Sequence, residues 1–348
     1  MARVLAAGAV HPADPGDSAC VRAIDRALPG WEVVRGPANG GFRLWLEAAE
    51  AADAIVVAGA TLFDRPRRDG SRLPFSGTAS LAMYARVRNK PLAMVGLGAG
   101  SPSTAKERSV AREIVRSSDL LVLRDADSAS ALSGAGAPPP FRIGSEASWT
   151  AFESPLNAFS SSDAILLVIS ANGDADTQVR FLYEAAAPLV AEGRPLHLQP
   201  WTESDVTVAR ALTARLGFRA RVFEPVTDLL AFRTLCSGHR VVVAGNVHAL
   251  VAAGAAGVPF IAAGREPGAV GLAKRLAQSS FDPEASRETL TANVRAATAR
   301  SGPPESAVEA EITGAHETLR LLRVLLSGGR TGDADSVSGL TLEPVPWR

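Results

Sequence analysis

The feature that most constrains the fold is a set of short runs that are apolar at nearly every position. DAIVVAG (53–59), PLAMVGLG (91–98) and DLLVLRD (119–125) are each closed by turn residues. A strand with one face in water alternates polar and apolar side chains, because successive residues point to opposite faces. A run without alternation has no wet face. It suits a parallel sheet, whose crossover helices cover both sides.

Helical stretches separate these runs. TAKERSVAREIVRSS opens on Thr104 with Glu107 three places on, the pattern of a capping box, and Val110, Ile114 and Val115 fall on one stripe. The alternation resumes after Gly134, Gly136 and the proline run 138–140, with strands expected at 164–170, 195–199, 220–223, 240–244 and 258–262. Helices are expected from about Asp176 to Ala191 and over 203–216, 227–236 and 247–256. Such βαβ succession predicts two Rossmann-like, doubly wound parallel-sheet domains, at 1–155 and 160–280. A helical segment (281–326) and a Gly/Ser-rich tail (327–348) are expected to follow.

Composition narrows the function classes. With 348 residues and 47% apolar content, the chain is long enough for two ordinary cores. Lys plus Arg and Asp plus Glu number 36 each, so no net field draws the chain to nucleic acid or acidic lipid, and no basic stripe with interleaved aromatics argues for nucleic-acid binding. Cys20 and Cys236 lie far apart without metal-ligand spacing and read as reduced apolar fillers of a cytoplasmic protein. No His/carboxylate cluster has ligand spacing, so neither a metal nor another cofactor is expected. No apolar run is long enough for membrane insertion.

In open parallel sheets ligands bind beyond the carboxyl ends of the strands, where helix N-termini offer free N–H groups. The residues at those places are Gly16 and Asp17, Thr61, the glycines of GLGAGS (Gly96, Gly98, Gly100), Arg124 with Asp125, Asn172, and Asn246 with His248.

In this order the pieces resemble the polysaccharide pyruvyl transferase family over roughly residues 3–280. The matching stretches are PGDSACVRAIDRAL, GLGAGS, LVLRDADSASAL, LHLQPWTESDVTVARALTARLG and VVVAGNVHALVAAGAAGVPFIA. The resemblance implies a GT-B-like pair of α/β domains meeting at a cleft. It implies transfer of an enolpyruvyl-derived group from phosphoenolpyruvate to hydroxyls of a sugar or related acceptor, giving a ketal. His248 would be the acid that protonates the enol ether carbon. The chain departs from the family where basic residues are usual: Asn246 stands for the arginine two places before the histidine, Asn172 for another arginine, and Gly268 for a lysine. Up to three positive charges are thereby removed, and Arg265 is the candidate to supply a cation from a neighbouring position.

Each residue also has a plainer reading. Asp17 positions or deprotonates an acceptor hydroxyl, or is a helix N-terminal carboxylate favoured by the dipole. Arg124 orients a ligand carboxylate, or forms a structural ion pair with Asp125. Gly98 and Gly100 let a ligand approach backbone N–H groups, or serve a tight turn. Trp201 stacks on a sugar ring, or packs at an exposed edge between domains. His11, His197, His239 and His316 show no partner pattern. Two further functions use the same fold: a glycosyltransferase with a nucleotide-linked donor, for which Glu266 near Arg265 is a thin candidate, and a homologue that binds a ligand without catalysis.

Overall fold

The computed structural model describes residues 1–8, 11–37, 41–59, 61–62, 75–102, 104–137, 141–156, 162–170, 183, 186–264, 266–281 and 287–328. It divides into two compact units. The first comprises Met1–Pro12, Asp17–Thr150 and Glu311–Arg348; the second comprises Ala13–Gly16 and Ala151–Ala310. Neither is continuous in sequence.

The first unit is built on the strands β1 (Ala2–Gly8), β2 (Trp31–Arg35), β3 (Ala54–Ala58), β4 (Thr61–Leu62), β5 (Leu92–Ala99), β6 (Leu120–Leu123) and β7 (Arg142–Ile143). They form a wholly parallel sheet in the order β2-β1-β3-β5-β6-β7, with β4 beside the end of β5. Both faces are dry, as the unbroken apolar runs require. Leu5, Ile55, Val57, Met94 and Leu121 join Trp45, Leu81 and Ile114 on one side. Their sequence neighbours Val4, Val56, Val95 and Val122 join Ile24, Leu319 and Leu322 on the other. The helices of this unit are α1 (Pro15–Ala27), which begins in the second unit's short segment, α2 (Phe42–Ala51), α3 (Phe75–Val87), α4 (Ala105–Ser117) and α5 (Ala126–Gly134). The capping box of α4 is present: Thr104 accepts the Glu107 N–H, and the Glu107 carboxylate accepts that of Thr104.

The second unit has strands β8 (Ile165–Ile169), β9 (Leu196–Pro200), β10 (Ala220–Val222), β11 (Val241–Ala244), β12 (Phe260–Ala263) and β13 (Ser279–Phe281). All pair in parallel in the order β10-β9-β8-β11-β12-β13. Counted from β8 this is 3-2-1-4-5-6, the doubly wound order whose switch point lies between the first and fourth strands. The carboxyl ends of β8 and β11 are therefore where a ligand crevice belongs. Its helices are α6 (Val206–Arg215), α7 (Leu229–Ser237), α8 (Val247–Ala255), α9 (Pro267–Arg275) and α10 (Arg287–Thr298). A last helix, α11 (Glu305–Leu326), belongs to the first unit from Glu311 onward.

Several local expectations need correction. The helix expected over 203–216 begins with a tight turn at Glu203–Asp205, capped by Thr202, before the α-helix starts at Val206. The helical segment expected over 281–326 holds two helices with a break between Thr298 and Glu305, where Pro303 and Pro304 stand. There Gly302 lies so close to the chain that a Cβ would meet the Gly257 carbonyl oxygen at 1.8 Å. The edge strand β2 was not anticipated; its WEVVR sequence mixes charge with apolar residues and its burial alternates. Most of the helix expected from Asp176 to Ala191 and most of the C-terminal tail lie outside the described residues. No described helix is long and apolar enough to cross a membrane.

Candidate functional site

In the second unit the chain leaves β11 at the switch point and enters α8. Asn246 caps this helix: its Oδ1 accepts the His248 N–H at 2.8 Å and that of Ala249 at 3.3 Å. The Asn246 amide thus satisfies two N–H groups that a helix N-terminus leaves open. Helix α8, VHALVAAGA, is buried along its whole length, and His248 carries its one polar side chain. A buried imidazole in apolar surroundings needs a polar partner.

Asp14 places a charged group beside the ring, in an ion-pair contact rather than a hydrogen bond. Its Oδ1 lies 3.3 Å from His248 Nδ1, and both side chains are buried. The carboxylate is held by the Gly16 N–H, which donates to Oδ1 at 2.9 Å, and by Trp201 Nε1–H, which donates to Oδ2 at 3.1 Å. A Cβ on Gly16 would stand 1.9 Å from His248 Cγ, so the turn lies directly on the imidazole ring and only glycine fits. Trp201 is 1% exposed and meets Phe232 edge-on at 5.3 Å. Its expected role at an exposed edge is corrected: the indole is interior packing with one polar task.

In the first unit the stretch Arg124–Ser128 is a device for placing a guanidinium. Asp125 caps α5, its Oδ1 accepting the Ser128 N–H at 2.7 Å, and Ser128 Oγ accepts the Ala99 N–H at 3.0 Å. Arg124 Nη2 donates to Thr61 Oγ1 at 3.1 Å, and Nε lies 3.5 Å from Asp125 Oδ2. The guanidinium lies over Gly98, where a Cβ would come within 2.2 Å of Nη2. Gly98 is therefore required by the arginine. The Gly100 N–H is engaged with the Leu62 carbonyl at 2.9 Å, and with the Ala99 N–H also taken, this turn spends those two donors internally. Arg124 Nη1 is buried and has no hydrogen-bond partner among the described residues. An unmatched donor on a buried cation is costly, and an anion is its natural complement.

Asp17, in the first turn of α1, is 2% exposed and accepts the His11 N–H through Oδ2 at 3.0 Å. Gly16 serves the second unit by its fit against His248. Gly268 is buried in the first turn of α9. Asn172 and Arg265 lie outside the described residues.

The sequence does not single out Asp14, whose carboxylate stands within ion-pair distance of His248. The available signal was the helix itself: one polar residue in an apolar helix demands a partner. The histidines without a sequence pattern also include a pair. His239 Nδ1 lies 2.8 Å from the Leu235 carbonyl and so carries a proton, which leaves Nε2 to accept from His197 Nδ1 at 2.7 Å. Burial lowers the pKa of both, helped by the Arg221 charge at His197.

The family model described as polysaccharide pyruvyl transferase matches residues 18–267. Among solved structures, the UDP-GlcNAc 2-epimerase of Methanocaldococcus jannaschii, in complex with UDP-GlcNAc and UDP, superposes with a TM-score of 0.62 at 12% identity, covering 94% of this chain and 99% of that one. The Neisseria meningitidis UDP-GlcNAc 2-epimerase bound to UDP-GlcNAc gives 0.63 at 10% identity, with 94% and 100% covered. A glycosyltransferase from Rickettsia africae gives 0.53 at 10% identity, with 97% and 100% covered. At such identities the likeness shows the fold, and the fold is the expected GT-B-like one. No curated protein matches the chain.

Proposed function

Because the chain belongs to the polysaccharide pyruvyl transferase family, we propose that it transfers an enolpyruvyl-derived group from phosphoenolpyruvate to two hydroxyls of a sugar or related acceptor. The observation that carries the anionic donor is Arg124, a buried guanidinium with Nη1 open. Charge-assisted hydrogen bonds to such a group contribute about 1.5–3 kcal/mol each.

His248 is the acid. Protonation of the donor's methylene carbon leaves positive charge at C2, where an acceptor hydroxyl adds and loses its proton. Departure of inorganic phosphate, then addition of a second hydroxyl that gives up its proton to the phosphate or to water, completes the ketal. Imidazole suits the first step because its ordinary pKa lies near working pH. His248 is 0% exposed, so the reading requires the ring to be uncovered when a donor enters. Asp17 is read as the residue that orients an acceptor hydroxyl.

Calorimetric titration with phosphoenolpyruvate tests the proposal, run on the unmodified protein and on His248→Ala and Arg124→Gln. Binding that weakens at least tenfold in Arg124→Gln is expected. No binding by the unmodified protein, with heat released by UDP instead, would move the assignment to a glycosyltransferase using a nucleotide-linked donor. Silence with both would leave the binding homologue.

A further inference from the structure

We infer that Asp14 is a positioning residue for His248: its carboxylate fixes the imidazole with the proton on Nδ1, so that Nε2 is the nitrogen that exchanges protons with a ligand. The inference rests on the reading of His248 as the acid, and it adds a residue outside the motifs that suggested that acid. Its basis lies within the second unit. Oδ1 stands 3.3 Å from Nδ1, within ion-pair distance though not in hydrogen-bond geometry, so the contact acts through charge. An ionised carboxylate only accepts, so a neutral imidazole facing it does best with N–H on the near nitrogen. Asp14 is not free to turn away, because Gly16 N–H grips Oδ1 and Trp201 Nε1–H grips Oδ2.

The ring is equally constrained from its own side. Its backbone N–H is tied to Asn246 Oδ1, which fixes the first turn of α8, and Gly16 closes over Cγ and Nδ1, with a Cβ excluded at 1.9 and 2.0 Å. A ring flip would bring Cδ2 to the carboxylate and forfeit the ion pair. The arrangement resembles in logic the acid–histidine pairs in which a buried carboxylate holds the tautomer and orientation of a working imidazole. Here the carboxylate comes from a four-residue segment distant in sequence from the helix it serves.

Side-chain 15N correlation spectra of the protein, with His248 assigned by its loss in His248→Ala, give a direct reading. A free neutral histidine prefers its proton on Nε2. The unmodified protein should instead show His248 protonated at Nδ1, with Nε2 pyridine-like when the ring is neutral. In Asp14→Ala the Nδ1–H signature should be lost and the proton should move to Nε2. In Trp201→Phe, which leaves the carboxylate in place, it should persist. A carboxylate that only anchored the turn through Gly16 and Trp201 would leave the ring's proton where free histidine carries it.

A proton on Nε2 alone in the unmodified protein overturns the inference, as does an unchanged Nδ1–H signature in folded Asp14→Ala. If Asp14→Ala does not fold, the spectrum of the unmodified protein decides. Phosphoenolpyruvate titrated into the same samples separates the two questions. The Nδ1–H signature without donor binding sinks the pyruvyl transferase reading alone, and donor binding without the signature sinks the positioning role alone.

Discussion

Replacing Asn246 by alanine removes the cap that seats His248. The side chain accepts two buried N–H groups, at 2.8 and 3.3 Å. Losing an N-cap costs about 1 kcal/mol, and leaving a buried donor without an acceptor adds roughly 1–3 kcal/mol. The longer bond adds little, so the expected loss is about 2–4 kcal/mol. A unit of ordinary domain size shifts its melting temperature by roughly 2–4 °C per kcal/mol, which places the drop at about 4–16 °C. Calorimetric unfolding of the unmodified protein, Asn246→Ala and Asn246→Ser would measure it. Serine also caps, and should recover most of the loss, to within about 1 kcal/mol. A fall of less than about 1 kcal/mol in the alanine variant, or a serine variant as damaged as alanine, would refute the assignment of this amide to capping. It would then reopen the idea that Asn246 is kept for a ligand.

Two further outcomes follow from the same geometry. Gly98→Ala places a Cβ within 2.2 Å of Arg124 Nη2; with the guanidinium displaced, phosphoenolpyruvate affinity measured by calorimetry should fall roughly 10–100-fold, the equivalent of one charge-assisted contact, and an unchanged affinity would remove Arg124 from the binding reading. The His197–His239 pair predicts acid sensitivity: with both pKa values lowered by burial, the unfolded chain binds more protons than the folded one below about pH 6.5. Their contribution is complete above that value and is lost as pH falls through the folded pKa values. Thermal unfolding at pH 7.5 and 5.5 should show this drop, reduced in His197→Phe; equal slopes in the two proteins would refute it.

The interior strands were legible because burial on both faces leaves its mark at every position. AIVVA in β3 and LLVL in β6 have no position facing water. β2 was not legible, since Val34 at 38% exposure and its charged neighbours give an edge strand no such mark. At the site, the sequence pointed to His248 and Arg124 through local motifs and showed the capping logic of Thr104. It missed Asp14 because proximity across 187 residues, the separation of Asp14 and Trp201, leaves no trace in local spacing. The glycine motif drew attention to Asp17, which stands next to Gly16, and passed over the carboxylate two places before that glycine, which lies 3.3 Å from His248 Nδ1. Gly98 was readable as special, but whether the space above it holds a ligand or a guanidinium is a tertiary fact.

The division of the chain bears on how it can be made. Leu319, Leu321 and Leu322 complete the same core as Val4 and Ile24, so the first unit is assembled from both chain ends. On the ribosome its hydrophobic interior stays open until nearly the last described helix has emerged, long after the strands of the second unit are available to pair. A gene cut near residue 155 would yield an amino-terminal fragment without its closing helix and a carboxyl-terminal fragment without Ala13–Gly16. Expression as two separate halves should therefore give insoluble or protease-sensitive products, whereas a circular permutant that joins the ends and opens elsewhere keeps every contact of the first core.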